Sequence, residues 1–515
     1  MEAVAGQDLQ EAIRQIQIDP MKFRLVLSMV AIVAATGELH AQYSGDALRF
    51  SQSQSGANAR FKAIGAQTGI GGDLSSVGAN PAGLGLFTRS EFSFTPEFNS
   101  YNTEADYLGQ FTSGKKDQMS LAHAAVVWHS KVSKPKGSKL DEGWISFNFG
   151  LGYNRTRAYS DNILFTGTNP TNSIADYYAQ LATVNYGSPS TLSSGSLERM
   201  AYDNYLIGYD NVNGEYFPET DVNNVQTKND IRTGSQSEFN FAFGANYSNQ
   251  FYIGASIGLT SINYNSAANY KERGFNVTEN NDYDLSYRQN QMTKGSGVNA
   301  KLGVIYRPVP AVRIGAAIES PTWYTIDDTY SEVLDTRYGK NRVDSQFLNQ
   351  EEFYDFSYKL RTPLKFSGGL GIFFNNQGFI SADIDYLDYS NINFSAADNS
   401  SSDVILDNNR AVLNNFKSAV NYRIGAEYKI EKFMLRAGYG IQGSPYKNLD
   451  EQRFKTTTLS GGLGYRFSSY YVDLAYQNVV YNSNIKSYSL NPGFSPEALI
   501  TNNRNNVFLT IGKRF

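Results

Sequence analysis

His123 and His129 are the two side chains in the body of this 515-residue chain best suited to metal binding or general-base work. Their even spacing puts both on one face of an extended strand, and Trp128 marks the other face. Six residues of strand separate them by roughly 20 Å, too far for one metal ion or haem iron to take both. Either could supply a single axial ligand, but polar lining is the reading this geometry favours. Nucleophilic chemistry fares no better. The chain has no cysteine, and its many serines include no Gly-x-Ser-x-Gly turn with a histidine placed to serve it. No catalytic residue, metal site or cofactor is expected, and the chain does not read as an enzyme.

The remaining chemistry is ionic. Glu319, Asp383, Asp385, Glu427 and Asp473 share the polar faces of alternating segments with Lys301, Arg307, Arg313, Arg423, Arg436 and Arg466. Mutual pairing is the favoured reading, since an unpaired charge in an enclosed space is costly. Arg313, Glu319, Arg423, Arg436 and Arg466 are the candidate set, and one or two of these arginines have the fork geometry to take a ligand carboxylate.

These residues need strands to position them. From Asn503 to Phe515, Val507, Leu509, Ile511 and Phe515 fall on one face, with Thr510, Gly512 and Arg514 on the other. Val420, Tyr422, Ile424, Ala426 and Tyr428 alternate in the same way with Asn421, Arg423, Gly425, Glu427 and Lys429. Turns of a few residues, such as Glu431-Lys432 and Ser468-Ser469, join such strands on one side, and longer polar loops join them on the other. Aromatics cluster beside the tight turns. Counted back to Glu91–Phe98, the pattern gives fourteen strands. Apolar-out, polar-in alternation with an interfacial aromatic girdle is what a transmembrane barrel requires. The expected fold is an all-β, 14-stranded antiparallel transmembrane barrel over residues 91–515. A soluble sandwich or propeller would mix its loop lengths at both ends.

Composition agrees. Tyr (36), Phe (32) and Gly (45) are abundant, and no run outside the amino terminus approaches the roughly 20 apolar residues of a membrane helix. Met21-Lys22-Phe23-Arg24, the apolar run Leu25 to Ala35 and the small residue Ala41 read as a signal peptide over 21–41. Residues 1–20 then read as a mis-annotated upstream extension. Residues 1–41 hold three basic and five acidic side chains; without them 42 basic face 44 acidic, and no footprint for nucleic acid is visible.

Residues 42–90, rich in Gly, Ala and Ser, suit a compact hatch packed against the lumen walls, although a flexible tail has the same composition. Asn80, Pro81, Ala82 and Gly83 should fix a turn at the junction with the first strand. Here the chain resembles the OmpP1/FadL/TodX family of outer-membrane transporters, through Asn80-Pro81-Ala82-Gly83-Leu84, Arg313 to Trp323 and Ser381 to Ser390. The latter two stretches are similar to its Bacteroidetes-type branch, often labelled haemin receptor, a label that the histidine spacing does not support. The resemblance implies a barrel with an amino-terminal hatch in the outer membrane of a Gram-negative bacterium. It also implies passive uptake of long-chain fatty acids or other hydrophobic compounds.

Two further features take meaning from that resemblance. In the long loop 156–236, Ile174, Tyr177, Tyr178 and Leu181 recur at helical spacing behind Asn172 and Ser173, and could line an external capture groove or pack the loop's own core. Gly150 and Gly152 on the third strand could supply the wall kink through which the resembled transporters release ligand sideways. The expected partners are a hydrophobic, fatty acid-like small molecule and outer-membrane lipid. The alternative is a scaffold or secretion-machine subunit with envelope protein partners.

Overall fold

A computed structural model describes residues 45–52, 58–339, 345–375, 377–397 and 402–515. The expected signal peptide and upstream extension lie outside the described residues.

Fourteen antiparallel strands form a closed wall: β1 (Glu91–Tyr107), β2 (Gln110–Lys131), β3 (Trp144–Ala158), β4 (Asn224–Tyr247), β5 (Phe251–Asn276), β6 (Asn281–Val309), β7 (Val312–Glu319), β8 (Lys365–Phe374), β9 (Gly378–Asp388), β10 (Ser418–Ile430), β11 (Phe433–Gln442), β12 (Thr456–Phe467), β13 (Tyr470–Lys486) and β14 (Glu497–Arg514). Each pairs with its sequence neighbours, and β14 closes on β1 from Glu91↔Arg514 to Asp106↔Leu499. Closure removes the sheet edges and satisfies the backbone within the wall.

The alternation read from the sequence sets the register. Leu302, Ile314, Ile424 and Leu463 point outward and exposed, whereas Lys301, Asp383, Arg436 and Asp473 point inward and are buried. Near the tight turns, Trp144 meets Tyr247, Phe251 stacks on Tyr306, and Phe433 lies against Tyr465 with ring centroids 4.8 Å apart. Such rings suit the interface between hydrocarbon and water. In the β4–β5 turn both Ser248 and Asn249 have a φ of 54°, the left-handed geometry a tight hairpin demands.

The wall rises well beyond what a membrane requires. β5 and β6 have 26 and 29 residues, against roughly 10 for a spanning strand. β7 resumes as Trp323–Tyr338, and β8 is preceded by Glu352–Arg361. Pro321 and Pro363 interrupt these two strands at the same level. Proline offers no N–H to a ladder; bonds from Thr322 N to Thr362 Oγ1 (2.8 Å) and from Thr362 N to Thr322 O (3.1 Å) carry the pairing past the gap.

Much of the stretch expected as a loop over 156–236 is therefore strand. Asp161–Asn169 pairs with the first half of β4, and the helices Ile174–Asn185 and Leu197–Asp203 sit above. Inside the barrel, residues 58–88 pack against inward faces all round the wall. The Ala59 N–H donates to Thr510 on β14, Asn148 on β3 donates to the Leu84 carbonyl, and Lys301 on β6 donates to the Gly78 carbonyl.

Candidate functional site

The inner segment is built from short turns that its own polar residues cap. Asn58 caps the helix Ala59–Ile64, and Asp73 caps the turn Leu74–Val77. Asn80 accepts the Ala82 N–H at 3.1 Å and donates to the Thr68 carbonyl at 2.8 Å, with Pro81 in the first position of the turn Pro81–Leu86. Its fixed φ suits that place. The wall supplies a socket for this turn. A Cβ on Gly254 or Gly244 would collide with Pro81 or Leu84, so glycine lets the two backbones meet there, and one on Gly303 would collide with the Asn80 side chain. Gly83 likewise sits against Ser76 and Gly71.

Ionic groups fasten the same segment. Arg60 forms two bonds to the Glu427 carboxylate, at 3.0 and 3.2 Å. Arg436 links Glu427 to Asp473, each at 2.7 Å, and Arg466 lies 3.9 Å from Asp473. Arg423 bonds Asp385 at 2.6 Å, and Glu319 bonds Lys365 at 3.2 Å. Arg313 donates to the Ile70 carbonyl and stacks over Phe373. All five candidate lumen residues thus have partners in the wall or the segment. His123 and His129 behave similarly: each ring Nδ1 lies 2.8 Å from the Oδ1 of a cross-strand asparagine, Asn154 and Asn148. Among the described residues no cluster of His, Asp and Glu could hold a metal ion.

Gly150 and Gly152 lie within the regular ladders of β3. Each packs its inner side on Val77; a Cβ on Gly150 would stand 2.9 Å from the valine methyl. The wall departs from regularity further along. β2 and β3 pair from Lys131↔Ser146 to His123↔Asn154 and no further. β3 shifts register against β4 between Arg155 and Arg157 and goes on pairing with it to Ala158. Asp161–Asn169 then passes behind the β1–β2 hairpin, where Thr103 and Thr112 donate to the carbonyls of Asn162 and Leu164, both at 2.6 Å. Residues 110–122 of β2 keep β1 as their only ladder partner among the described residues. Pairing between β2 and β3 ends here, and Asp161–Asn169 packs on the inner face of the hairpin in its place.

The external cap closes the other end. Ser173 and Asp176 form a capping box on the helix Ile174–Asn185. Ile174, Ala175, Tyr178, Ala179 and Ala182 enter a buried core with Leu197, Met200, Tyr270, Tyr283 and Leu285. The four candidate capture residues are divided. Ile174 and Tyr178 are buried in that core; Tyr177 is half-buried against it and, with Leu181, lines a vestibule of about 1460 Å³ at the mouth. Beneath the helix, Glu272 is fully buried and accepts from Tyr270, Tyr283, Ser173, Gln226 and the Ile174 N–H at 2.6–3.2 Å. Burial raises its pKa above the usual carboxyl range, and these donors oppose the shift. A lumen cavity of about 330 Å³ shares Arg49, Arg232 and Tyr264 with the vestibule and so continues inward from it.

No family model matches the chain, and no curated protein does. Solved structures do. A FadL homologue from Pseudomonas aeruginosa matches with a TM-score of 0.52 at 12% identity, over 90% of this chain and 98% of that one. The toluene transporter TodX of P. putida matches with a TM-score of 0.52 at 12% identity, over 90% and 99%. The chain has the fold of these FadL-type barrels. At this identity the likeness is one of fold, and it bears on neither the Bacteroidetes-type branch nor the haemin label. Sequence reasoning missed Arg157, Glu272 and the parting of β2 from β3. Asp161–Asn169 pairs with residues 224–232 of β4, far along the chain, and only a short irregularity in alternation at Arg155–Arg157 hints at the break.

Proposed function

We propose that this chain is an outer-membrane channel of a Gram-negative bacterium for passive uptake of hydrophobic compounds, long-chain fatty acids among them. One observation carries the reading: a closed 14-stranded wall enclosing a cavity that leads in from the mouth. Ligand enters by the vestibule along Tyr177 and Leu181, reaches the lumen cavity and leaves sideways above the His123–Asn154 rung when the β1–β2 hairpin lifts off Asp161–Asn169. Residues 58–88 act as a hatch that closes the route to the periplasm, with Asn80, Pro81, Ala82 and Gly83 at its seat. Gly150 and Gly152 serve this design by letting the hatch lie close to β3 just below the point where β2 and β3 cease to pair. Mass spectrometry of compounds co-purifying with the barrel tests the reading; a lumen that yields only water-soluble metabolites counts against it.

A second reading, a barrel that anchors partner proteins, draws on Val222, Val225, Phe275 and Val277. These stand exposed at the far end of the β4–β5 hairpin, beyond the lipid-facing band. Replacing Val225 and Val277 with Ser would release a protein partner under this reading and leave bound hydrophobic compounds unchanged under the first.

A further inference from the structure

The lumen cavity is richer in cations than in acids. Arg49, Lys62, Arg157, Arg232, Arg423 and Arg504 line it, and Asp161 is the one lining carboxylate among the described residues. Four of the cations are answered nearby: Arg49 by Asp46, Arg232 by Asp230, Arg423 by Asp385 and Arg504 by Asp161. Arg157 has no carboxylate partner among the described residues. Its Nη1 donates to the carbonyls of Arg49 (3.2 Å) and Gln52 (3.1 Å) and to the Gln52 side chain (2.9 Å), all neutral acceptors. Arg504, itself 6% exposed, also keeps its buried Nε without a partner while its guanidinium lies between the rings of Tyr101 and Tyr481.

The body of the cavity is aromatic. Tyr159, Tyr264, Tyr389, Tyr446 and Phe454 line it, and Arg157 lies over the Tyr159 ring at 5.9 Å. Flat rings and guanidinium planes pack best on another flat ring. A guanidinium without a counter-charge in an enclosed site favours an incoming anion, and its fork fits a carboxylate, sulfonate or phosphate.

We infer that this cavity is a binding site for aromatic organic anions, with the acidic head on Arg157 and the ring among the tyrosines. The inference rests on the channel reading and narrows it, because a neutral hydrocarbon would leave Arg157 unanswered. It also places the head near the point where β3 ceases to pair with β2, since Arg157 lies three residues beyond the last such rung, His123↔Asn154.

Titration calorimetry on the full barrel in a neutral detergent tests it with 2-naphthoate, its neutral analogue 2-naphthylmethanol and the aliphatic acid decanoate. 2-Naphthoate should bind about tenfold tighter than the alcohol, the worth of one charge-assisted contact, and several-fold tighter than decanoate through the ring contacts alone. Arg157→Gln should bring 2-naphthoate down to the affinity of the alcohol, and Arg157→Lys should keep much of the preference. Equal binding of acid and alcohol, or a preference untouched by Arg157→Gln, overturns the anion site and leaves the hydrophobic channel standing. Decanoate binding as tightly as 2-naphthoate overturns the aromatic selectivity. If none of the three binds a correctly folded barrel, the channel reading falls as well. Should Arg157→Gln fail to fold, the three probes on the unaltered protein still decide.

Discussion

Asp383 on β9 holds Thr68 of the inner segment twice, accepting its backbone N–H at 2.8 Å and its hydroxyl at 2.9 Å on one carboxylate oxygen. The same oxygen also takes the Gln67 N–H at 2.6 Å. A buried carboxylate bonded three times to one turn is a strong fastening, since each bond to a charged group contributes about 1.5–3 kcal/mol. Asp383→Asn should therefore loosen the segment and raise single-channel conductance in planar bilayers. A closed, silent barrel with that substitution would show that the seal does not depend on this contact.

The glycine socket makes a steric prediction. Gly150→Leu puts a side chain where Val77 already sits, and overpacking of this kind costs about 1–3 kcal/mol. The wall should still assemble, with heat-modifiable migration on gels, while residues 58–88 become open to protease. Gly461→Ala, where the added carbon would meet its nearest atom at 3.6 Å, should assemble and leave residues 58–88 protected. Equal protease resistance in both variants would mean that the segment does not need the close approach to β3.

How much of this was readable beforehand follows from the range of each interaction. The strands and their inward residues were legible because a period of two is local, and Arg436, Glu427 and Asp473 fell on the face their parity assigned. The helix at Ile174 was legible from its spacing and its Ser173 cap. Which half of its stripe meets the core was not, because that depends on Tyr270, Tyr283 and Leu285, a hundred residues away. The break beside Arg157 was hidden for the same reason: Asp161–Asn169 pairs with the distant β4 and packs on the inner face of the β1–β2 hairpin, a choice no local pattern encodes.

Division of the cap helix can be tested directly. Tyr178→Asp should collapse the cap, since it removes a fully buried ring and adds a buried charge, a loss of more than about 3 kcal/mol. Tyr177→Asp with Leu181→Asp should leave the cap folded and reduce bound hydrophobic compound, because both side chains face the vestibule. Protease cleavage of the loop separates the two cases. If the double variant also opens the loop, Tyr177 and Leu181 belong to the cap core.

Glu272 gives the cap a pH dependence of defined sign. Its raised pKa means that the folded cap binds a proton more tightly than the unfolded one. Its contribution to stability is then complete below the ordinary carboxyl pKa and is lost as pH rises through the elevated native value. Protease resistance of residues 161–223 should be greater at pH 5 than at pH 8. Glu272→Gln should flatten that difference. Resistance that rises with pH would show that the ionised carboxylate, held by its five donors, is the stabilising form.

The central claim is that hydrophobic compounds cross the outer membrane through this barrel. Its most direct test is the initial uptake rate of radiolabelled oleate and toluene by a Gram-negative host that lacks such channels, with and without this protein assembled at its surface. The account predicts a several-fold faster rate for at least one of the two compounds. Rates equal to those of the host alone, with the barrel folded and its cap accessible from outside the cell, would contradict it.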